Sequence, residues 1–216
     1  MRRVVLATKN PGKLREVAAI LEGTGVELVG MDGLPDPPEE TGDTFLENAL
    51  AKGAFAAVTS GLWAIADDSG LVVEALGGRP GVHSARYAGP GHDNQKNIQK
   101  LLWEMALVKD RRARFVCTAV LVGPRPELPH LSLPNLTRVE EHPALPPGMA
   151  AVVATGEVWG LITEAPSGTG GFGYDPVFYH EGERATFAEI PESRKNELSH
   201  RGQAFRALRS FLELAA

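Results

Sequence analysis

Short apolar runs alternate along this chain with stretches whose apolar residues recur every three or four positions, and that alternation restricts it to an interleaved α/β fold. Val4–Ala7, Val26–Gly30, Leu62–Ala66, Ala113–Val122 and Ala150–Leu161 read as strands, with Val177–Tyr179 a short one near the end. After the first strand, Asn10 has the N-cap position and Pro11 the first position of a helix whose inward face is Leu14, Val17, Ala18 and Leu21. Thr44 and Glu47 have the spacing of a capping box. They open a second helix with a face of small residues: Leu46, Ala49, Leu50, Gly53, Ala54 and Ala57. Ile98, Leu101, Leu102 and Met105 mark a third helix. Ser199 caps a last one that buries Ala204, Leu208, Phe211 and Leu212.

At 216 residues the chain suits a single domain over 1–216, or two lobes sharing one core. Residues 124–149 hold seven of the 16 prolines and show no period, so they read as a surface loop or hairpin excursion within that domain. The net charge of −5 argues against a nucleic-acid polymer as partner, but a few lysines and a metal ion can still make one site attractive to a small polyanion. The single cysteine, Cys117, excludes an intramolecular disulfide and reads as a packing residue. No apolar stretch approaches the ~20 residues that span a bilayer, and the apolar run after Met1 is too short for a signal peptide, so a cytoplasmic protein is expected.

Five segments carry candidate chemistry. Thr8, Lys9, Asn10, Pro11, Gly12 and Lys13 form a turn from strand to helix, where free N–H groups and the positive end of the helix dipole suit a phosphate. Lys13 is the wrong charge for a first turn, which a bound phosphate would explain; a plain capped helix with a solvated lysine fits as well. Asp67 and Asp68 stand at the end of a strand and suit a hard cation, although neighbouring strand residues face opposite ways; a turn at Asp67–Gly70 is the competing reading. Glu39 and Glu40 add acid before the second helix, on which Asn48 and Lys52 share a face. The run Gly168–Gly173 matches a dinucleotide fingerprint only in letters, because Pro176 prevents the helix that the fingerprint needs. Its glycines read instead as letting backbone approach a ligand, with Phe172 as a stacking face. Lys195, His200 and Arg201 place three donors around the last helix start, or form a surface basic cluster.

Taken together, Leu6–Lys13 (LATKNPGK), Glu40–Ala49 (ETGDTFLENA), Ala66–Leu71 (ADDSGL), Gly77–Gly81 (GGRPG), Ser84–Tyr87 (SARY), Gly168–Pro176 (GTGGFGYDP) and Ser199–Gly202 (SHRG) occur in an order that closely resembles the inosine triphosphate pyrophosphatase family. The resemblance covers nearly the whole chain. It implies an elongated mixed β-sheet with flanking helices and two lobes around a nucleotide cleft, as a homodimer. The implied activity is Mg²⁺-dependent hydrolysis of deaminated purine nucleoside triphosphates (ITP, dITP, XTP) to monophosphate and pyrophosphate. By the same resemblance Asp68 is the metal-binding, proton-accepting aspartate and Ser69 contacts substrate. Thr8 to Lys13 bind the triphosphate, Glu40 is the second metal carboxylate, and Lys52 and Arg86 contact phosphate. Phe172, Gly173, Tyr174, Asp175, Lys195, His200 and Arg201 recognise the base. The excursion at 124–149 is longer and richer in proline than in typical members. Two rivals are a Maf-type pyrophosphatase acting on pyrimidine nucleotides and a sensor that binds nucleotide without turnover.

Overall fold

The computed structural model describes residues 2–215. Among them the elements are β1 (Arg2–Leu6), α1 (Pro11–Leu21), β2 (Val26–Val29), α2 (Phe45–Ser60), β3 (Trp63–Val73), α3 (Asn94–Glu104), β4 (Arg112–Pro124), β5 (Leu136–Val139), β6 (Met149–Ile162), β7 (Phe178–His180), β8 (Ala185–Thr186), α4 (Glu192–Leu198) and α5 (His200–Ala215). The strands form one eight-stranded sheet in the order β2-β1-β3-β4-β6-β7-β8, with β5 joined to β6. β1 runs parallel to β2 and β3, while β5, β7 and their partners pair antiparallel, so the sheet is mixed. The chain packs as two compact units, one built from residues up to 68, 117–156 and 201 onward, the other from 69–116 and 157–200.

In the first unit the two-residue period of the strands sorts the core. Val4, Leu6, Trp63, Ile65, Ala119 and Leu121 pack with Val17 and Ile20 of α1 and Phe205, Leu208 and Phe211 of α5. The residues between them, Val5, Ala64, Ala66, Val120 and Val122, pack with Leu50, Ala54 and Ala57 of α2. Successive strand side chains leave opposite faces, so α1 and α5 cover one side of these strands and α2 the other. The small face of α2 serves close approach: a methyl on Gly53 would lie 2.7 Å from a Val122 methyl. In the second unit Leu71, Val73, Ile98, Leu101, Met105, Phe115, Val158, Phe178 and Phe187 form the core.

Both helix starts form as the sequence predicts. Asn10 caps α1 with Pro11 in its first turn, and Thr44 and Glu47 make the reciprocal capping box of α2. The inward face of α1 differs: Ala18 is exposed, while Glu16 and Ile20 are buried. Glu16 is admitted because Arg201 of α5 meets it at 2.6 Å. Asp67–Gly70 is no turn; β3 runs unbroken from Trp63 to Val73. Apolar side chains on both flanks keep the strand going, and the two carboxylates inside it find cationic partners. The excursion at 124–149 carries β5, paired with β6 in the register Leu136 opposite Ala154, and sinks Leu128 and Leu145 into the core. The sequence reading has no counterpart to α4.

Asp67 and Asp68 are 4% and 5% exposed, and on a strand they must face opposite ways. Asp67 shares its face with α1 and α5, where Lys13 meets it at 2.9 Å and the Nε of Arg201 lies at 3.5 Å. Cys117, buried as expected, has its Sγ 3.9 Å from the same carboxylate. Burial alone would raise the pKa of Asp67, but the charges of Lys13, Arg201 and Lys52 hold it far below the carboxylate range. Arg201 is held above its ordinary value, burial opposing and Glu16 and Asp67 prevailing. Asp67→Asn therefore takes the carboxylate from Lys13 and leaves Arg201 with Glu16, and is expected to cost about 3 kcal/mol, read as a lowered urea midpoint. Because the folded-state pKa is depressed, this contribution is complete above about pH 4 and drains away as the pH falls further. Acidification should accordingly destabilise the parent protein more steeply than the variant; equal stability at neutral pH would contradict the role given to Asp67.

Candidate nucleotide and metal site

On the opposite face of β3, Asp68 looks toward α2. Asn48, one turn into α2, donates to Asp68 Oδ2 at 3.0 Å and accepts from the backbone N–H of Gly42 at 2.8 Å. It thereby ties the acidic loop to the strand. Gly42 must be glycine, since a methyl there would sit 2.7 Å from Asn48 Oδ1. Lys52, one turn further along α2, lies 2.5 Å from Glu40 Oε1 and 3.6 Å from Asp68 Oδ1. A single ammonium thus joins two carboxylates from distant parts of the chain. Glu39 is exposed, so Glu40 is the acid that turns inward. A cavity of about 260 Å³ beside them is lined by Glu39, Glu40, Gly42, Asn48 and Lys52, and by Pro143 and Ala144 of the excursion.

The charges in this cluster act on one another. Burial, and secondarily the neighbouring Glu40, push the pKa of Asp68 up against the pull of Lys52. Burial would lower Lys52, but Asp68, Glu40 and Asp67 together hold it above the ordinary lysine value. Glu40 and Asp68, which meet the same lysine, are oxygen donors of the kind that a hard divalent cation takes, and so fit such an ion. Asp67, engaged by Lys13 and Arg201, is left to the interior.

The turn before α1 is built differently from the sequence expectation of free N–H groups. Asn10 Oδ1 accepts from Gly12 at 2.9 Å and Lys13 at 3.2 Å, and Thr8 Oγ1 accepts from Asn10 at 3.1 Å. Pro11 has no N–H, so the cap consumes the donors that the helix start was expected to offer. Lys9 is exposed and paired with Asp36, and Lys13 points inward to Asp67. What the turn presents is therefore side-chain charge more than bare backbone.

In the second unit the residues from 168 to 175 fold around one buried carboxylate. Asp175, 3% exposed, accepts from the N–H of Phe172 at 2.7 Å and from Lys195 Nζ at 2.6 Å. Lys195 also sits 4.7 Å from the centre of the Phe172 ring. Gly171 has φ +69° and no room for a side chain against Asp175. Gly168 and Gly170 approach a backbone, as glycines allow, but it is the chain's own: a methyl on either would lie 2.6 or 2.9 Å from Ala188. Tyr174 donates to the carbonyl of Ser84 at 2.9 Å, which ties this segment to the turn carrying Arg86. Ser69, half-buried, follows Asp68 directly in β3.

Lys195 stands on α4 and His200 begins α5; His200 is 4% exposed and Arg201 2%, so they are no surface cluster. The candidate residues fall into two sets. Glu40, Lys52, Asp68 and the turn Thr8–Lys13 belong to the first unit, together with Arg201, whose guanidinium goes to Glu16 and Asp67. Ser69, Arg86, Phe172 to Asp175, Lys195 and His200 belong to the second. Sequence reasoning missed the bridging role of Asn48 and the burial of Glu16. The signal for the latter was an acid beside Val17 on an otherwise apolar helix face.

Comparison with known proteins places the chain in a family. The model of the Ham1 family matches residues 4–211. A dITP/XTP pyrophosphatase of Geobacter sulfurreducens is 45% identical, covering 98% of this chain and 97% of the relative. One from Escherichia coli (strain K12) is 46% identical over 96% of each. Among solved structures, the Ham1 protein of Staphylococcus aureus superposes with a TM-score of 0.80 at 36% identity over the full length of both chains. A HAM1 protein from Coxiella burnetii gives 0.81 at 38% identity over 98% of each. With a Glu40–Lys52–Asp68 cluster, a capped lysine-bearing turn and a family match over nearly its whole length, this chain belongs to the Ham1 family.

Proposed function

We propose that this protein hydrolyses deaminated purine nucleoside triphosphates (dITP, ITP and XTP) to the monophosphate and pyrophosphate, and so clears them from the nucleotide pool. The names of the relatives support the reaction class. The observation that carries it in this chain is the Glu40–Lys52–Asp68 cluster: two inward carboxylates held by one buried lysine. Two such carboxylates suit a nucleotide that arrives with a divalent cation, and release of pyrophosphate is what separates turnover from binding alone. Glu40 and Asp68 would hold Mg²⁺, which when bound supplies Lewis-acid neutralisation of the phosphate oxygens. On the family resemblance, the working form is a cytoplasmic homodimer acting on free nucleotides.

The chain's own residues have separable tasks. Asn48 fixes one oxygen of Asp68, and burial raises the basicity of that carboxylate. Asp68 is thus suited to take a proton from the attacking water as its oxygen bonds to the α-phosphorus. The bond from the α-phosphorus to the bridging oxygen breaks, and pyrophosphate leaves. Lys52, beside Asp68, has charge to set against the leaving group, while Thr8 to Gly12 shape the turn that receives it. Arg86 and Ser69 supply further contacts to the substrate.

Selectivity follows from the base. Hypoxanthine and xanthine carry an acceptor oxygen where adenine carries a donor amine. Donors from Lys195 and His200 pair with that oxygen, Arg201 being engaged by Glu16 and Asp67, and Phe172 offers a stacking face. An adenine leaves buried donors facing an amine, and a mismatch of that kind supports discrimination of order 10⁴.

Asp68→Asn should fold and lose at least about 100-fold in turnover of dITP at saturating Mg²⁺, followed by pyrophosphate release. Near-normal turnover would remove Asp68 from the chemistry. The parent enzyme should prefer dITP to dATP in kcat/KM by a wide margin, and Lys195→Ala should narrow it. Equal kcat/KM for the two nucleotides would refute the base-recognition account, and orthophosphate as product would refute the reaction class.

A further inference from the structure

The imidazole of His200 lies flat on the ring of Phe115, with centroids 4.8 Å apart and planes 11° from parallel. Both residues belong to the second unit, and Phe115 is only 7% exposed. Phe115 is itself held. Phe187 stacks on it at 6.0 Å and 9°, and Phe178 leans against it at 4.5 Å and 47°. Phe178 and Phe187 in turn meet at 5.0 Å. Three phenyl rings from β4, β7 and the segment after β8 thus form a block, with the imidazole lying along one of its faces.

A stack of this kind constrains one thing in particular. Rotation of an imidazole about its Cβ–Cγ bond is a broad, shallow motion when nothing covers the ring. A phenyl ring lying parallel to it removes that freedom and leaves the ring edge, where both nitrogens sit, to point within a fixed plane. Hydrogen bonds weaken steeply as donor and acceptor lose alignment, so fixing the plane sharpens what the edge can recognise.

We propose that Phe115 is a positioning residue for base selection: its ring fixes the plane in which His200 presents a nitrogen to the C6 oxygen of the deaminated purine. The inference rests on the reading of His200 as a base-recognition donor. Phe115 touches no substrate in this account. It acts through His200, and its effect is on the preference between bases more than on the rate of bond cleavage.

The test is kcat/KM for dITP and dATP in the parent enzyme and in His200→Ala, Phe115→Leu, Phe115→Met and Phe115→Tyr, with thermal midpoints recorded for each. The dITP-to-dATP ratio should fall about three- to tenfold in Phe115→Leu and Phe115→Met, chiefly through KM for dITP, and be kept in Phe115→Tyr. In a His200→Ala background, Phe115→Leu should lower the ratio no further. A purely structural loss lowers both substrates together and leaves the ratio alone, and Phe115→Met decides the matter if Phe115→Leu does not fold. An unchanged ratio in the folded Phe115 variants, with a reduced one in His200→Ala, would overturn the proposal while sparing the reading of His200. An unchanged ratio in His200→Ala would overturn both, and no preference in the parent enzyme would overturn the substrate reading from which they start.

Discussion

Two ionised carboxylates side by side in a buried strand are costly, and much of this structure is the answer to that cost. Because strand side chains alternate, Asp67 and Asp68 cannot share one set of partners. Each face of β3 has to bring its own cations. α1 and α5 bring Lys13 and Arg201 to one face, and α2 brings Lys52 and Asn48 to the other. The two outcomes differ in kind. Asp67 is enclosed by fixed positive charge and becomes part of the interior. Asp68 meets Lys52, which it shares with Glu40, and its proton affinity goes up instead of down. One strand thus separates an aspartate that holds the fold from an aspartate suited to chemistry.

Much of this was legible in the chain. The short apolar runs of the strands and the period of three to four in the helices led to the α/β class. The caps at Asn10 and Thr44 could be placed from residue types alone, because a cap depends on neighbours within four positions. The small face of α2 was visible as Ala49, Gly53, Ala54 and Ala57, and its use, approach to Val122, is what small residues permit. The candidate residues were found through the succession of motifs, since each motif taken singly had an ordinary structural reading.

What was not legible depended on partners far away in sequence. Asp67–Gly70 looks like a turn because Asp, Ser and Gly favour turns locally. It stays extended because Lys13 and Arg201, 54 and 134 positions from Asp67, and Lys52, 16 from Asp68, meet the charge. Glu16 looks solvated until Arg201 is placed against it. α4 begins after Pro191 without a side-chain cap, so neither its start nor its seven residues left a readable signal. The glycines at 168 and 170 read as letting backbone approach a ligand, whereas what they approach is Ala188, which local sequence could not say. The excursion at 124–149 hid β5 among its prolines, and only pairing with β6 reveals it.

The account stands on water attacking the α-phosphorus near Asp68, with Asp67 spent on holding the strand. Turnover of dITP in water enriched in heavy oxygen, with both products examined by mass spectrometry, tests this directly. The label is expected in the nucleoside monophosphate and absent from pyrophosphate. Label in pyrophosphate would mean attack on the β-phosphorus, and the arrangement described around Asp68 would then belong to a different reaction.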